Sequence, residues 1–120
     1  MIFAIVTTTL MPEGIPDNFC EDLSKIISEL LNVPEKDITV QVHPNQLMVR
    51  NGSREPSAYI ELYHVEGCET EDHKRKVSKT ILDFTKQHLH IESSRVSIIF
   101  RQTAGKDIGI EGGLWSDFHN

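Results

Sequence analysis

Cysteine is scarce in this chain. Only Cys20 and Cys68 occur among the 120 residues, 48 positions apart and with no CxxC. Such a pair reads as free thiols in a reducing compartment, not as a disulfide framework. Basic charge is short as well: twelve Lys and Arg against eighteen Asp and Glu leave a net charge of −6. That is the wrong sign for wrapping nucleic-acid phosphates or lying on anionic lipid, so neither is a default partner. Long hydrophobic runs are missing too. The apolar N-terminus, Met1 to Val6, is too short for a signal peptide or a membrane span and has no basic residues ahead of it. The expectation is a cytoplasmic protein without membrane insertion, whose export would need a route that uses no signal peptide. Seven glycines and five prolines are too few for a disordered linker chain, and 38% hydrophobic with 25% charged residues is ordinary for a globular one. One core is all that this length supports, so residues 1–120 are read as one domain.

What is present is periodic. Residues 2–6 are continuously apolar and β-branched-rich, the pattern of a strand covered on both faces. After the break at Pro12, Gly14 and Pro16, Asp17 stands as a helix N-cap. Phe19, Cys20, Leu23, Ile26, Ile27, Leu30 and Leu31 then recur at helical steps, and Pro34 ends the helix. Ile38, Val40 and Val42 alternate with polar residues, which predicts a strand with one apolar face. A short apolar run, Leu47 to Val49, leads to the turn signal Asn51-Gly52. Ala58 to Val65 reads as a strand, Thr70 caps a helix whose stripe is Val77, Ile81, Leu82, Phe84 and Leu89, and Arg95 to Arg101 is the last long strand. Glycines at 105, 109, 112 and 113 predict loop with short edge strands at the C-terminal end.

An offset of 58 lays the two halves on each other. Phe19, Leu23, Ile26 and Leu31 fall on Val77, Ile81, Phe84 and Leu89, and Ile38, Val40 and Val42 fall on Val96, Ile98 and Phe100. Two such β-α-β repeats with right-handed crossovers give an α/β (α+β) fold: a four-stranded sheet with two helices on one face. The apolarity of residues 2–6 then predicts that the other face is buried against other subunits in a closed homo-oligomer.

Pro44-Asn45-Gln46-Leu47-Met48 followed by Gly52-Ser53-Arg54-Glu55-Pro56 resembles the signature of the macrophage migration inhibitory factor and D-dopachrome tautomerase family. Ile5-Val6-Thr7-Thr8, Ile15-Pro16-Asp17, Val33-Pro34 and Arg95-Val96 extend the resemblance over essentially the whole chain, and Ile108-Gly109 with Gly112 leans to the second branch. The resemblance implies a homotrimeric barrel of sheets with pockets between neighbouring subunits, no cofactor, and keto-enol tautomerism of phenylpyruvate- or dopachrome-like acids. In that chemistry an N-terminal proline, held neutral in an apolar pocket, takes the proton beside a carbonyl, and a nearby Lys holds the substrate carboxylate.

This chain departs from both requirements. Ile2 stands where the proline belongs, and its bulk predicts that Met1 is retained; Val33 stands where the Lys belongs. The family's pocket Tyr and Asn fall on Ser97 and Ile99, and its CxxC on Ser57 to Ile60. A one-residue insertion at Glu66 sits beside the backbone donor, mapped to Val65 with His64 preceding it.

These substitutions predict a binding or signalling protein, with a cell-surface receptor as a partner and proline-based activity lost or much reduced. The alternative is a tautomerase that uses the Met1 amine, as base or through a Schiff base, or another pocket residue, on a small aromatic keto or enol acid. His64, as a lone His at a strand end, is expected to be a partly exposed surface residue. His88, His90 and Glu92 need not face one site, so no metal is expected there. Lys74-Arg75-Lys76, flanked by Glu71, Asp72 and Asp83, reads as a solvated helix face.

Overall fold

The computed structural model describes residues 1–65 and 68–119. Four strands form the main sheet: β1 (Ile2–Thr8), β2 (Ile38–His43), β3 (Ala58–His64) and β4 (Val96–Gln102), in the order β2-β1-β3-β4. β1 runs parallel to β2, β3 parallel to β4, and β1 antiparallel to β3. Two β-α-β units therefore lie side by side, joined by their first strands. The repeat is not a rigid offset. Ile2 pairs with Ile38 but Ala58 pairs with Val96, so the second unit spends two more residues between its paired strands.

Helix α1 (Phe19–Leu31) buries Phe19, Leu23, Ile27 and Leu31 at four-residue spacing, and α2 (Glu71–Leu89) buries Val77, Ile81, Phe84, Thr85 and Leu89. These stripes join Ile2, Ala4, Val6, Ala58, Ile60 and Leu62 in one core, so both helices cover the same sheet face. Phe19 and Phe84 meet across the helices at 5.4 Å, and His73 Nε2 lies 3.1 Å from the Leu30 carbonyl oxygen.

The other face carries Phe3, Ile5, Tyr59, Glu61, Tyr63, Ser97, Ile99 and Arg101 by alternation, and no helix or strand among the described residues covers it. Within one chain residues 2–6 are thus covered on one side, and Phe3 stays 37% exposed.

Two helix boundaries differ from their sequence signals. The N-cap of α1 is Asn18, not Asp17, and neither closes a side-chain cap, because ψ of 18° at Asn18 departs from the extended backbone that aims a cap oxygen at the first turn. The stop is Asn32 rather than Pro34. Its left-handed φ of 54° returns its N–H to the Ser28 carbonyl, and the Ser28 hydroxyl donates to the Val33 carbonyl at 2.7 Å. For α2 the sequence signal holds: Thr70 Oγ1 accepts the His73 N–H at 3.1 Å.

Between β2 and β3 the apolar run Leu47 to Val49 forms no strand, and Leu47 is 96% exposed. The loop is nevertheless fixed. Gln46 N–H donates to the Thr8 carbonyl and Asn45 N–H to that of Leu10. Asn51 and Gly52, at φ of 52° and 75°, close the tight turn that pairs Arg50 with Ser53. Arg95, directly before β4, donates to the carbonyls of Arg50, Ser53, Glu55 and Pro56 at 2.9 to 3.2 Å.

Candidate functional site

Where β1 begins, three chain segments converge. Ile2 is held on both sides, by Ile38 and His64, which puts residue 1 at the end of the sheet where β3 and β4 finish. Val65 N–H donates to the Met1 carbonyl at 3.3 Å and Thr103 N–H to the His64 carbonyl at 2.8 Å. A cavity of about 250 Å³ opens there, lined by Met1, Phe3, Tyr63, His64, Val65, Thr103 and Ile108. A second, of about 590 Å³, also touches Met1, with Lys36, Asp37, Ile110, Glu111, Trp115, Phe118 and His119 around it. Met1 thus borders a mostly apolar space and one that carries charge of both signs.

The second cavity is walled by the C-terminal segment. Its hairpin, β5 (Gly109–Ile110) and β6 (Gly113–Leu114), turns through Glu111 and Gly112 with φ of 51° and 78°. The one-turn helix α3 (Trp115–Phe118) follows. Trp115 N–H donates to the Ile108 carbonyl at 2.8 Å, and His119 stacks on the indole at 4.0 Å. Glycine is required at 105, because a Cβ there would stand 2.6 Å from the Trp115 ring. The expected loop with short edge strands is present, but with a helix that four glycines concealed.

The residues singled out from the sequence divide into two groups. Met1, His64 and Val65 come together at the smaller cavity. Ile2 is beside them in sequence, but its side chain is fully buried in the core. Val33 follows the C-terminal end of α1 and borders neither cavity, whereas Lys36, three positions on, borders the larger one. Ser97 and Ile99 lie on the bare face of β4, opposite Tyr59 and Glu61, while the row nearest Met1 is His64 with Gln102. Five residues of strand, about 16 Å, separate Ser97 from that row. Within one chain these positions are therefore not part of the Met1 site.

His64 is the clearest correction. It is 2% exposed, and both ring nitrogens are buried without a hydrogen-bond partner. The inward alternation of Ile60 and Leu62 carries through to residue 64, so a strand-end position is still a core position. Burial lowers its pKa, the Lys74 charge acts in the same direction, and Glu69 opposes them. The result favours a neutral imidazole. Cys68 is also buried, a free thiol pushed up to about 11 by burial and then by Glu69. Glu66, the position of the insertion, lies outside the described residues.

Other candidates resolve as surface structure. Arg75 pairs with Asp72 at 2.6 Å and Glu71 at 3.2 Å, and Lys79 with Asp83 at 3.7 Å, as a solvated helix face should. The His88 ring packs on Phe84, His90 is the left-handed cap of α2, and Glu92 pairs with Lys86. Among the described residues no group of three or more His, Cys, Asp and Glu is placed to hold a metal ion. No described helix is long and apolar enough to cross a membrane.

Sequence reasoning passed over Arg50. Its guanidinium Nη2 donates to Ser97 Oγ at 2.6 Å, and its Nε is buried without a partner. Its place directly before Asn51-Gly52 was the one available signal.

Residues 1–116 match the family model of macrophage migration inhibitory factor. The mouse macrophage migration inhibitory factor is 27% identical over 112 residues, which cover 93% of this chain and 96% of that protein. The structure of the factor from Trichinella spiralis superposes with a TM-score of 0.89 at 23% identity, over 93% of this chain and 98% of that one. That from Oncomelania hupensis gives 0.88 at 18% identity, over 93% and 95%. The structural likenesses speak for the fold: a mixed α/β chain with a four-stranded sheet and two main helices. With the family model matched over nearly every residue, the chain belongs to the macrophage migration inhibitory factor family.

Proposed function

We propose that the chain, as one domain over residues 1–120, forms a homotrimer that acts by binding or signalling, with proline-based keto-enol tautomerase activity lost or much reduced. The observation that carries this reading is at position 2. Where the resemblance sets the catalytic proline, Ile2 is fully buried between Ile38 and His64 and presents no amine to either cavity. Val33 brings no cation in place of the Lys. The trimer is supported by the uncovered face with Phe3 and Ile99, each over a third exposed, and by Leu47 projecting from a fixed loop. A cell-surface receptor would be met by the outer surface of the trimer. The protein would reside in the cytoplasm and leave it by a route that needs no signal peptide.

A phenylpyruvate ketonisation assay, run beside light scattering, tests this. A trimer without turnover is the expected result; efficient turnover by the native protein would refute it.

One observation favours a second reading. Met1 borders both cavities, which supports a reading in which its α-amine acts on a small aromatic keto or enol acid. Turnover that vanishes when the N-terminal amine is acetylated, on protein whose intact mass shows Met1 retained, would establish that reading instead.

A further inference from the structure

Arg50 is a cation held in place and, among the described residues, without an ion pair. Its backbone is fixed on both sides: its N–H donates to the Ser53 carbonyl at 2.9 Å, and its own carbonyl accepts from Arg95 Nη1 at 3.1 Å. The adjoining Asn51 side chain donates to the Ser94 carbonyl at 3.3 Å. From this anchored turn the guanidinium reaches the bare face of β4, where the small Ser97 admits it and accepts one hydrogen bond. The buried Nε donor has no acceptor, and among the described residues no carboxylate forms an ion pair with Arg50. A buried, unsatisfied donor on a charged group is costly, and a preorganised planar fork of donors matches a carboxylate.

The anion cannot belong to the Met1 cavities of the same chain, because Ser97 lies about 16 Å along the strand from their row. In the trimer proposed above, on which this inference rests, the bare face meets a second copy, and the resemblance sets positions 97 and 99 at a pocket between copies. We propose that Arg50 of one copy, braced by Ser97, is the anion-binding residue of the Met1 cavity of the next copy, where it takes the carboxylate of a small organic acid. The cation that Val33 does not provide within one chain is then supplied across the interface. The site is incomplete in any single copy.

The test titrates phenylpyruvate and its methyl ester into the native protein by calorimetry, with trimer mass followed by light scattering. Native trimer should prefer the acid. Arg50→Met should weaken acid binding by about tenfold to a hundredfold, the range of a charge-assisted bond, and leave ester binding unchanged. Should Arg50→Met fail to assemble, Arg50→Lys keeps the charge but loses the fork, and acid binding should fall by a smaller factor while the trimer persists. A native monomer would overturn the trimer reading and this assignment together. A trimer in which Arg50→Met keeps its preference for the acid would overturn this assignment alone. So would a native trimer with no such preference, or its loss in Lys36→Met but not in Arg50→Met.

Discussion

Arg95 is the residue whose removal tests most directly how this fold positions its loop. Its guanidinium donates to four backbone carbonyls, those of Pro56 at 2.9 Å, Glu55 at 3.0 Å, Arg50 at 3.1 Å and Ser53 at 3.2 Å. The bonds to Arg50 and Ser53 are partly buried; those to Glu55 and Pro56 face solvent, where water replaces the donor at little cost. Counting chiefly the two partly buried, charge-assisted bonds, Arg95→Ala should cost about 2 to 3 kcal/mol of local stability. The loss should be local. The far end of the loop is held independently through Gln46 to Thr8 and Asn45 to Leu10.

Amide hydrogen exchange separates the two ends. In Arg95→Ala the amides of Arg50 and Ser53, which bond each other's carbonyls, should exchange about thirtyfold to a hundredfold faster, while those of Asn45 and Gln46 keep their protection. Arg95→Lys should recover only a minor part, since one ammonium cannot span four acceptors. If Arg95→Lys protects Arg50 and Ser53 as well as the native residue does, or if both ends loosen together, the clamp is not what fixes the loop.

Three further outcomes follow from particular residues. Leu47→Asp, at a 96% exposed position, should change the stability of the isolated fold by no more than about 0.5 kcal/mol yet abolish the trimer; circular dichroism with light scattering checks both, and an intact trimer would remove Leu47 from the interface. His64 has its folded pKa lowered by burial, so its contribution to stability is complete above the ordinary His value of about 6.5 and falls as pH drops toward the folded value, where the unfolded chain takes up the proton first. Denaturation midpoints of His64→Gln should therefore decline less between pH 7 and pH 5 than those of the native protein, and parallel declines would refute this. Ile2→Pro with Val33→Lys should create phenylpyruvate tautomerase activity, at a stability cost of about 1 to 2 kcal/mol from the emptied core position; a trimeric, correctly processed and inert variant counts against it.

Much of the fold was legible because apolar spacing carries it. The stripes of α1 and α2, the alternation in β2 and the turn at Asn51-Gly52 all depend on residues close in sequence. The offset of 58 found the doubled unit, though it could not see that β3 is set two residues apart from it, since register is fixed by cross-strand pairing. Asp17 is not the cap because the helix starts one residue later, at Asn18, whose ψ of 18° closes no side-chain cap, and no residue name supplies such an angle. His64 was misplaced because a strand end suggests exposure, whereas the inward alternation of Ile60 and Leu62 runs to the last residue of β3. Arg95 matched the family pattern, but its role was hidden: all four acceptors are carbonyls, which every residue has.

The site was less legible than the fold for a geometric reason. Its sequence markers lie at opposite ends of one sheet: Met1, His64 and Val65 at one end, Ser97 at the other with Arg50 against it. This chain alone does not bring them together, so under the trimer proposed above a pattern that names both halves would name an interface. Each copy carries a net charge of −6, and copies of like charge repel on approach. An unpaired cation such as Arg50 on the approaching face lowers that repulsion before any ligand arrives. Once the apolar face is covered, the same cation sits in a drier setting, where a carboxylate is held more strongly than water would hold it. In the proposed trimer, assembly and anion binding would draw on one residue, and that coupling would account for Arg50 having no ion pair among the described residues of its own chain.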